Sequence, residues 1–143
     1  MKVNNMKRLV LFWVLLLSLC RCSSIPDCMN GRNKNPCPRV LFIGNSYTAV
    51  NDLPGMFAAL SKAGGHPIQV VTDAPGGFSL AQPLNSSNTL EALQSSKWDF
   101  VVLQEQSQIP AMEQTRSQEM YPAARALVQK VRQAGAQPIF FLT

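Results

Sequence analysis

Arg39-Val-Leu-Phe-Ile43, halted by Gly44, is a short continuous apolar run of the kind found in strands buried on both faces. Such a strand belongs to a parallel sheet, so the sequence after it has to supply crossover helices. Leu53, Met56, Phe57 and Leu60 recur at helical spacing, with Pro54 in the first turn and Gly64 past the last. Ile68-Gln-Val-Val-Thr72 reads as a second strand, closed by Asp73 and the Pro75-Gly76-Gly77 turn. Phe78 to Ser87 reads as loop, and Asn88-Thr-Leu-Glu91 has the spacing of a capping box that starts a short helix. Asp99-Phe-Val-Val-Leu-Gln104 is a third strand, followed by a polar loop to Gln114. Met120, Ala124, Leu127, Val131 and Ala134 then mark one face of a longer helix, which Pro122 either starts or bends and Gly135 ends. Pro138-Ile-Phe-Phe-Leu142 is a fourth strand. The order βαβαβαβ forces parallel pairing through helical crossovers, which predicts an α/β domain with a doubly wound parallel sheet over residues 39–143. A final apolar strand with no crossover to cover it predicts a sheet that is incomplete at its C-terminal end.

The 143 residues carry a net charge of +5, which would suggest an anionic partner if it sat on the folded domain. It does not. Residues 1–39 hold seven Lys and Arg against Asp27 alone, a net +6, and the remainder is −1. Nucleic-acid binding by the domain therefore loses its main support. Lys2, Lys7 and Arg8 precede a run of eleven residues from Leu9 to Leu19 that is apolar but for Ser18. A membrane span needs roughly 20 such residues, so the run reads as the core of a secretory signal over residues 1–22. Leu17-Ser-Leu-Cys20 is similar to a lipobox, which makes Cys20 a candidate lipidation site, with cleavage near Ser23 or Ser24 the default. Either route predicts a secreted, periplasmic or cell-surface protein that meets a membrane only through its signal or lipid anchor. Residues 23–38 form a linker, in which Cys28 and Cys37 are positioned to close a disulfide loop in an oxidising compartment. Zinc would need two further ligands nearby, and the sequence offers none, so no metal site is expected.

Ligand crevices of open parallel sheets lie at the carboxyl ends of the strands. Three loops leave those ends: Gly44-Asn-Ser-Tyr-Thr48, Pro75-Gly-Gly-Phe-Ser-Leu80 and Gln104-Glu-Gln-Ser-Gln108. A hydroxyl, a glycine turn and a set of amides thus converge on one edge, a combination able to supply a nucleophile and an oxyanion hole. Each alone has a plain structural use, as helix cap, turn or solvated loop.

Val40-Leu-Phe-Ile-Gly-Asn-Ser-Tyr-Thr48 resembles the first block of the SGNH (GDSL-like) hydrolase superfamily, in a variant with Asn45 where Asp is usual. Gly77 matches the glycine of the second block, and Asp99-Phe-Val-Val-Leu-Gln-Glu-Gln-Ser107 is similar to the third. The resemblance implies a flavodoxin-like fold and a serine ester hydrolase that works without a cofactor through an acyl-enzyme on Ser46. It implies that the backbone N–H groups of Ser46 and Gly77 line the oxyanion hole. For the third donor it points to Gln104, by likeness to branches with a Gln-Gly-Glu motif, with Gln106 second; an alignment to the Gly-x-Asn form points to Gln108 instead. Short acyl esters, among them O-acetylated carbohydrate, are the implied substrates.

Serine needs a general base, ordinarily a histidine within about 3.2 Å. His66 is the single histidine, and it precedes the second strand, at the opposite edge of the sheet from Ser46. The family's Asp-x-x-His block does not occur in these residues, so the 143-residue chain is expected to be the N-terminal part of the hydrolase domain and inactive by itself. The rival reading is a non-catalytic flavodoxin-like module that binds carbohydrate or an anion.

Overall fold

The computed structural model describes residue 28 and residues 37–143. Four strands form one parallel sheet: β1 (Arg39–Ile43), β2 (Gln69–Asp73), β3 (Phe100–Gln104) and β4 (Gln137–Phe141). Their spatial order is β2-β1-β3-β4. The chain therefore leaves β1 in one direction and returns past it to β3, which puts the topological switch point between the carboxyl ends of β1 and β3. The register pairs Ile43 with Asp73 on one side and with Leu103 on the other. All three loops singled out above leave the same edge.

The helical segments are α1 (Ser46–Ala49), α2 (Leu53–Ala63), α3 (Ser87–Gln94), a single turn α4 (Glu113–Thr115) and α5 (Tyr121–Gln133). Side chains alternate across the pleat, so Leu41, Ile43, Val101 and Leu103 share one face. That face forms the core with Leu93 of α3, Ala123, Ala124, Leu127 and Val131 of α5, Trp98 and Leu80. Leu80 and Trp98 are almost fully buried, and the Trp98 indole N–H donates to the Ala92 carbonyl at 2.9 Å, so the ring is buried without stranding its polar atom. Pro122 opens the regular part of α5 behind a π-helical segment, Arg116–Met120, which accommodates the N–H that proline lacks.

The opposite face of the sheet carries α2, where the Phe57 ring meets Phe42 edge-on at 6.1 Å. Here the apolar stripe of α2 departs from expectation. Met56, Phe57 and Leu60 are exposed, because α2 overlies β1 and β2 and nothing among the described residues packs on its outer side. Phe42, Phe100, Val102, Ile139 and Phe141 consequently line an open apolar groove of about 530 Å³. The start of α3 also differs from the capping box at Asn88. Ser86 is the cap, its hydroxyl accepting from the Thr89 N–H at 3.3 Å. The stretch read as loop before it holds a 3-10 turn, Gln82–Asn85.

Cys28 and Cys37 are joined in a disulfide with Cα atoms 5.7 Å apart. The secretory signal, Cys20 and the remainder of the linker lie outside the described residues. No helix among the described residues is long and apolar enough to cross a membrane.

Candidate active site

Ser46 opens α1 directly beyond β1 and is exposed. Its side chain and its N–H have no hydrogen-bond partner among the described residues, since the cap satisfies the next donors instead. Asn45 is that cap: its Oδ1 accepts from the Tyr47 N–H at 3.1 Å, and its carbonyl accepts from Thr48 and Ala49. Glycine at 44 follows from packing. A Cβ there would stand 2.5 Å from Thr48 Oγ1 and 2.7 Å from Gln104 Oε1, so only a residue without one lets the loop turn across the end of β3.

Gly77 sits in the second loop at φ +78, a left-handed conformation that glycine adopts without strain. It is exposed, and its N–H also has no partner among the described residues. The loop is bound to its neighbours one and three residues further on. The Asn45 side-chain amide donates to the Phe78 carbonyl at 2.7 Å, and the Leu80 N–H donates to Glu105 Oε1 at 3.1 Å. The structure thus brings the Ser46 and Gly77 loops together through residues adjacent to each.

Gln104 occupies a different role from the oxyanion donor suggested by the resemblance. It is 1% exposed. Its Oε1 accepts from the Asn45 N–H and from the Thr48 hydroxyl, both at 3.0 Å, and its amide nitrogen donates to the Glu105 carbonyl. A side chain so enclosed lies beneath the Gly44–Thr48 loop with both of its polar atoms already bonded. Gln104 ends β3 on the face of Phe100 and Val102, and it is buried because the loop after β1 folds over it through the Asn45 N–H and the Thr48 hydroxyl. Gln106 lies beyond the strand and is half-buried. Its Oε1 accepts from the N–H groups of Gln108 at 2.7 Å and Ile109 at 3.2 Å, which fixes the amide plane and leaves Nε2 without a partner among the described residues. Gln108 is exposed.

Glu105 was read from sequence as part of a solvated loop, and it is 6% exposed. Burial pushes its carboxyl above the usual carboxylate range, with nearby Glu119 adding to the effect, while hydrogen bonds from the Gln106 and Leu80 N–H groups act the other way. His66 is exposed in the turn before β2, its N–H bonded to the Ser61 carbonyl, and it takes no part in this edge of the sheet. Among the described residues, no three His, Cys, Asp or Glu side chains cluster closely enough to hold a metal ion.

The residues that sequence reasoning missed are Asn45, Thr48 and Glu105, the polar side chains beneath the site. The one signal for them in the sequence is the Asn at 45 in place of Asp.

No family model matches the chain, and no curated protein matches it. Among solved structures it is similar to one described as "a putative SGNH hydrolase from Slackia heliotrinireducens", with 37% identity and a TM-score of 0.62 over 73% of this chain. The match covers 55% of that structure's own chain, so this chain spans about half the length of its relative. Taken with the parallel sheet and the three loops at its switch point, this likeness makes the chain a member of the SGNH hydrolase superfamily.

Proposed function

We propose that the protein is an exported serine ester hydrolase of short acyl esters, with Ser46 as the nucleophile. The observation that carries the reading is the pairing of an exposed Ser46 hydroxyl with a neighbouring glycine loop, the hydroxyl and the Gly77 N–H both without a partner among the described residues and the two loops tied at 2.7 Å through Asn45 and Phe78. Ser46 Oγ attacks the acyl carbonyl, and the alcohol leaves from the resulting tetrahedral intermediate to give an acyl-enzyme that water hydrolyses. The N–H groups of Ser46 and Gly77 and the Nε2 of Gln106 donate to the developing oxyanion. Gln106 takes the third position because Gln104 is already committed, whereas Gln106 is held by its oxygen with the nitrogen left to donate.

His66, the single histidine of the sequence, stands away from Ser46 in the turn before β2, so none of the described residues is assigned as the general base. The alcohol side of the substrate is carbohydrate in this reading. A groove of about 560 Å³ beside the second loop is lined by Phe78, Gln82, Asn85, Ser86, Ser87 and Asn88, an aromatic ring among amides and hydroxyls without a charge. Such a surface suits a neutral sugar better than a phosphate or an ammonium group.

Hydrolysis of p-nitrophenyl acetate tests the assignment. The full-length gene product hydrolyses it, Ser46→Ala abolishes the rate, and the 143-residue chain shows none. Turnover by the 143-residue chain that depends on Ser46 would refute the exclusion of these residues as the base. The uncharged groove beside the second loop also fits a second reading, a carbohydrate-binding module without catalysis, which is distinguished by a full-length product that binds acetylated sugar and leaves the ester intact.

A further inference from the structure

We propose that Asn45 and Glu105 are positioning residues that clamp the Gly77 loop from two sides, and that position 45 requires an amide and excludes a carboxylate. The proposal rests on Ser46 as nucleophile and Gly77 as oxyanion donor.

The hydrogen bonds around these residues close into a ring through all three loops. Gln104 Oε1 accepts from the Asn45 N–H at 3.0 Å, Asn45 Nδ2 donates to the Phe78 carbonyl at 2.7 Å, and the Leu80 N–H donates to Glu105 Oε1 at 3.1 Å. The Gln104 amide nitrogen completes the circuit at the Glu105 carbonyl. Asn45, Gln104 and Glu105 are each at most 6% exposed, so water cannot substitute for a lost member. The segment Phe78-Ser79-Leu80 is therefore pinned by its carbonyl at one end and by its N–H at the other, immediately after Gly77.

The chemistry at position 45 follows from polarity. Its Oδ1 already accepts the Tyr47 N–H at 3.1 Å, and the other branch of the side chain meets a carbonyl oxygen, which needs a donor. An amide satisfies both. An ionised carboxylate would cap α1 equally well and set two acceptors against each other at the Phe78 carbonyl, releasing the loop that carries Gly77. Position 105 needs an acceptor: Glu105 Oε1 takes the N–H of Gln106 at 2.6 Å as well as that of Leu80. Gln retains that oxygen and Ala does not.

Asn45→Asp and Glu105→Ala in the full-length gene product, assayed on p-nitrophenyl acetate, test the clamp. Removal of a whole oxyanion donor costs roughly a hundredfold or more in kcat, and displacement of one is expected to cost about tenfold, with KM within about twofold. Glu105→Gln restores kcat to within about threefold of the unsubstituted protein. A role in stability alone would lower the folded fraction and leave kcat per folded molecule unchanged, which overturns the proposal. Amide exchange in the unsubstituted 143-residue chain gives a check that needs no variant: the Leu80 N–H exchanges far more slowly than that of Gly77, and equal rates overturn the clamp. Activity that survives Ser46→Ala instead overturns the reading of the nucleophile, so the two failures are told apart.

Discussion

Gln104→Ala isolates the structural role of Gln104 from the oxyanion role that resemblance suggested. The substitution leaves two buried donors, the Asn45 N–H and the Thr48 hydroxyl, without the oxygen that now stands 3.0 Å from each. A buried donor stripped of its partner costs about 1–3 kcal/mol. Thr48 can rotate its hydroxyl toward another acceptor, whereas the Asn45 N–H is fixed by the backbone, so the expected loss is about 3 kcal/mol, with the emptied side-chain volume included. For a domain of this size, that shifts the melting temperature by roughly 10–20 °C. Urea denaturation of the 143-residue chain followed by far-ultraviolet circular dichroism measures the loss directly. Gln106→Ala is the internal comparison: it removes an acceptor from two N–H groups in a half-exposed turn, which water replaces, and costs about 1 kcal/mol or less. A Gln104→Ala loss no larger than that of Gln106→Ala would refute the argument, since it would mean that Gln104 faces solvent and is free to meet a substrate.

Three further outcomes follow from the same contacts. Gly44→Ala drives a Cβ to within 2.5 Å of Thr48 Oγ1 and destabilises the chain by about 1–3 kcal/mol by urea denaturation, with the loop after β1 displaced. Because burial raises the Glu105 carboxyl above its ordinary value of 4.5, the native state binds this proton more tightly than the unfolded chain. The stability that it contributes is complete below 4.5 and is lost as pH rises through the higher native value; Glu105→Gln removes this dependence, so the stability difference from the unsubstituted chain changes across that window and is flat below it. The apolar groove over Phe100, Val102, Ile139 and Phe141 predicts that the 143-residue chain binds 1-anilinonaphthalene-8-sulfonate while folded, and that Ile139→Ser with Phe141→Ser reduces the fluorescence.

The sheet was legible because β1 and β3 are apolar without interruption and helical spacing separates them, a pattern that admits only parallel crossovers. Strand ends moved by a residue or so, as with β2, which runs Gln69–Asp73 in place of Ile68–Thr72, because the hydrogen-bond register and not the apolar run sets where pairing stops. The apolar spacing of α2 is legible as a helix, but a stripe records what can be covered and not what covers it, and Met56, Phe57 and Leu60 are exposed. The cap of α3 was placed two residues late because Asn88 and Ser86 are both competent caps, and the tertiary position of the preceding turn selects Ser86.

At the site, sequence pointed to three loops at one edge of the sheet without resolving which of their polar side chains turn inward. Gln104, Glu105 and Gln106 are three consecutive polar residues at a strand end, and sequence carries no indication of which turns inward. The structure divides them by position: Gln104 ends β3 beneath Asn45, Glu105 reaches under Leu80, and Gln106 caps the outer turn with its nitrogen free. The Asn at position 45 becomes intelligible only once the Phe78 carbonyl is seen facing it.

Active-site labelling tests Ser46 as an activated nucleophile without reliance on a chosen substrate. The full-length gene product is treated with a fluorophosphonate, digested and read by mass spectrometry. A single phosphonyl adduct is expected on the peptide that contains Ser46, lost in Ser46→Ala together with hydrolysis of p-nitrophenyl acetate. An adduct on another residue, or ester hydrolysis that continues while Ser46 remains unlabelled, would contradict it.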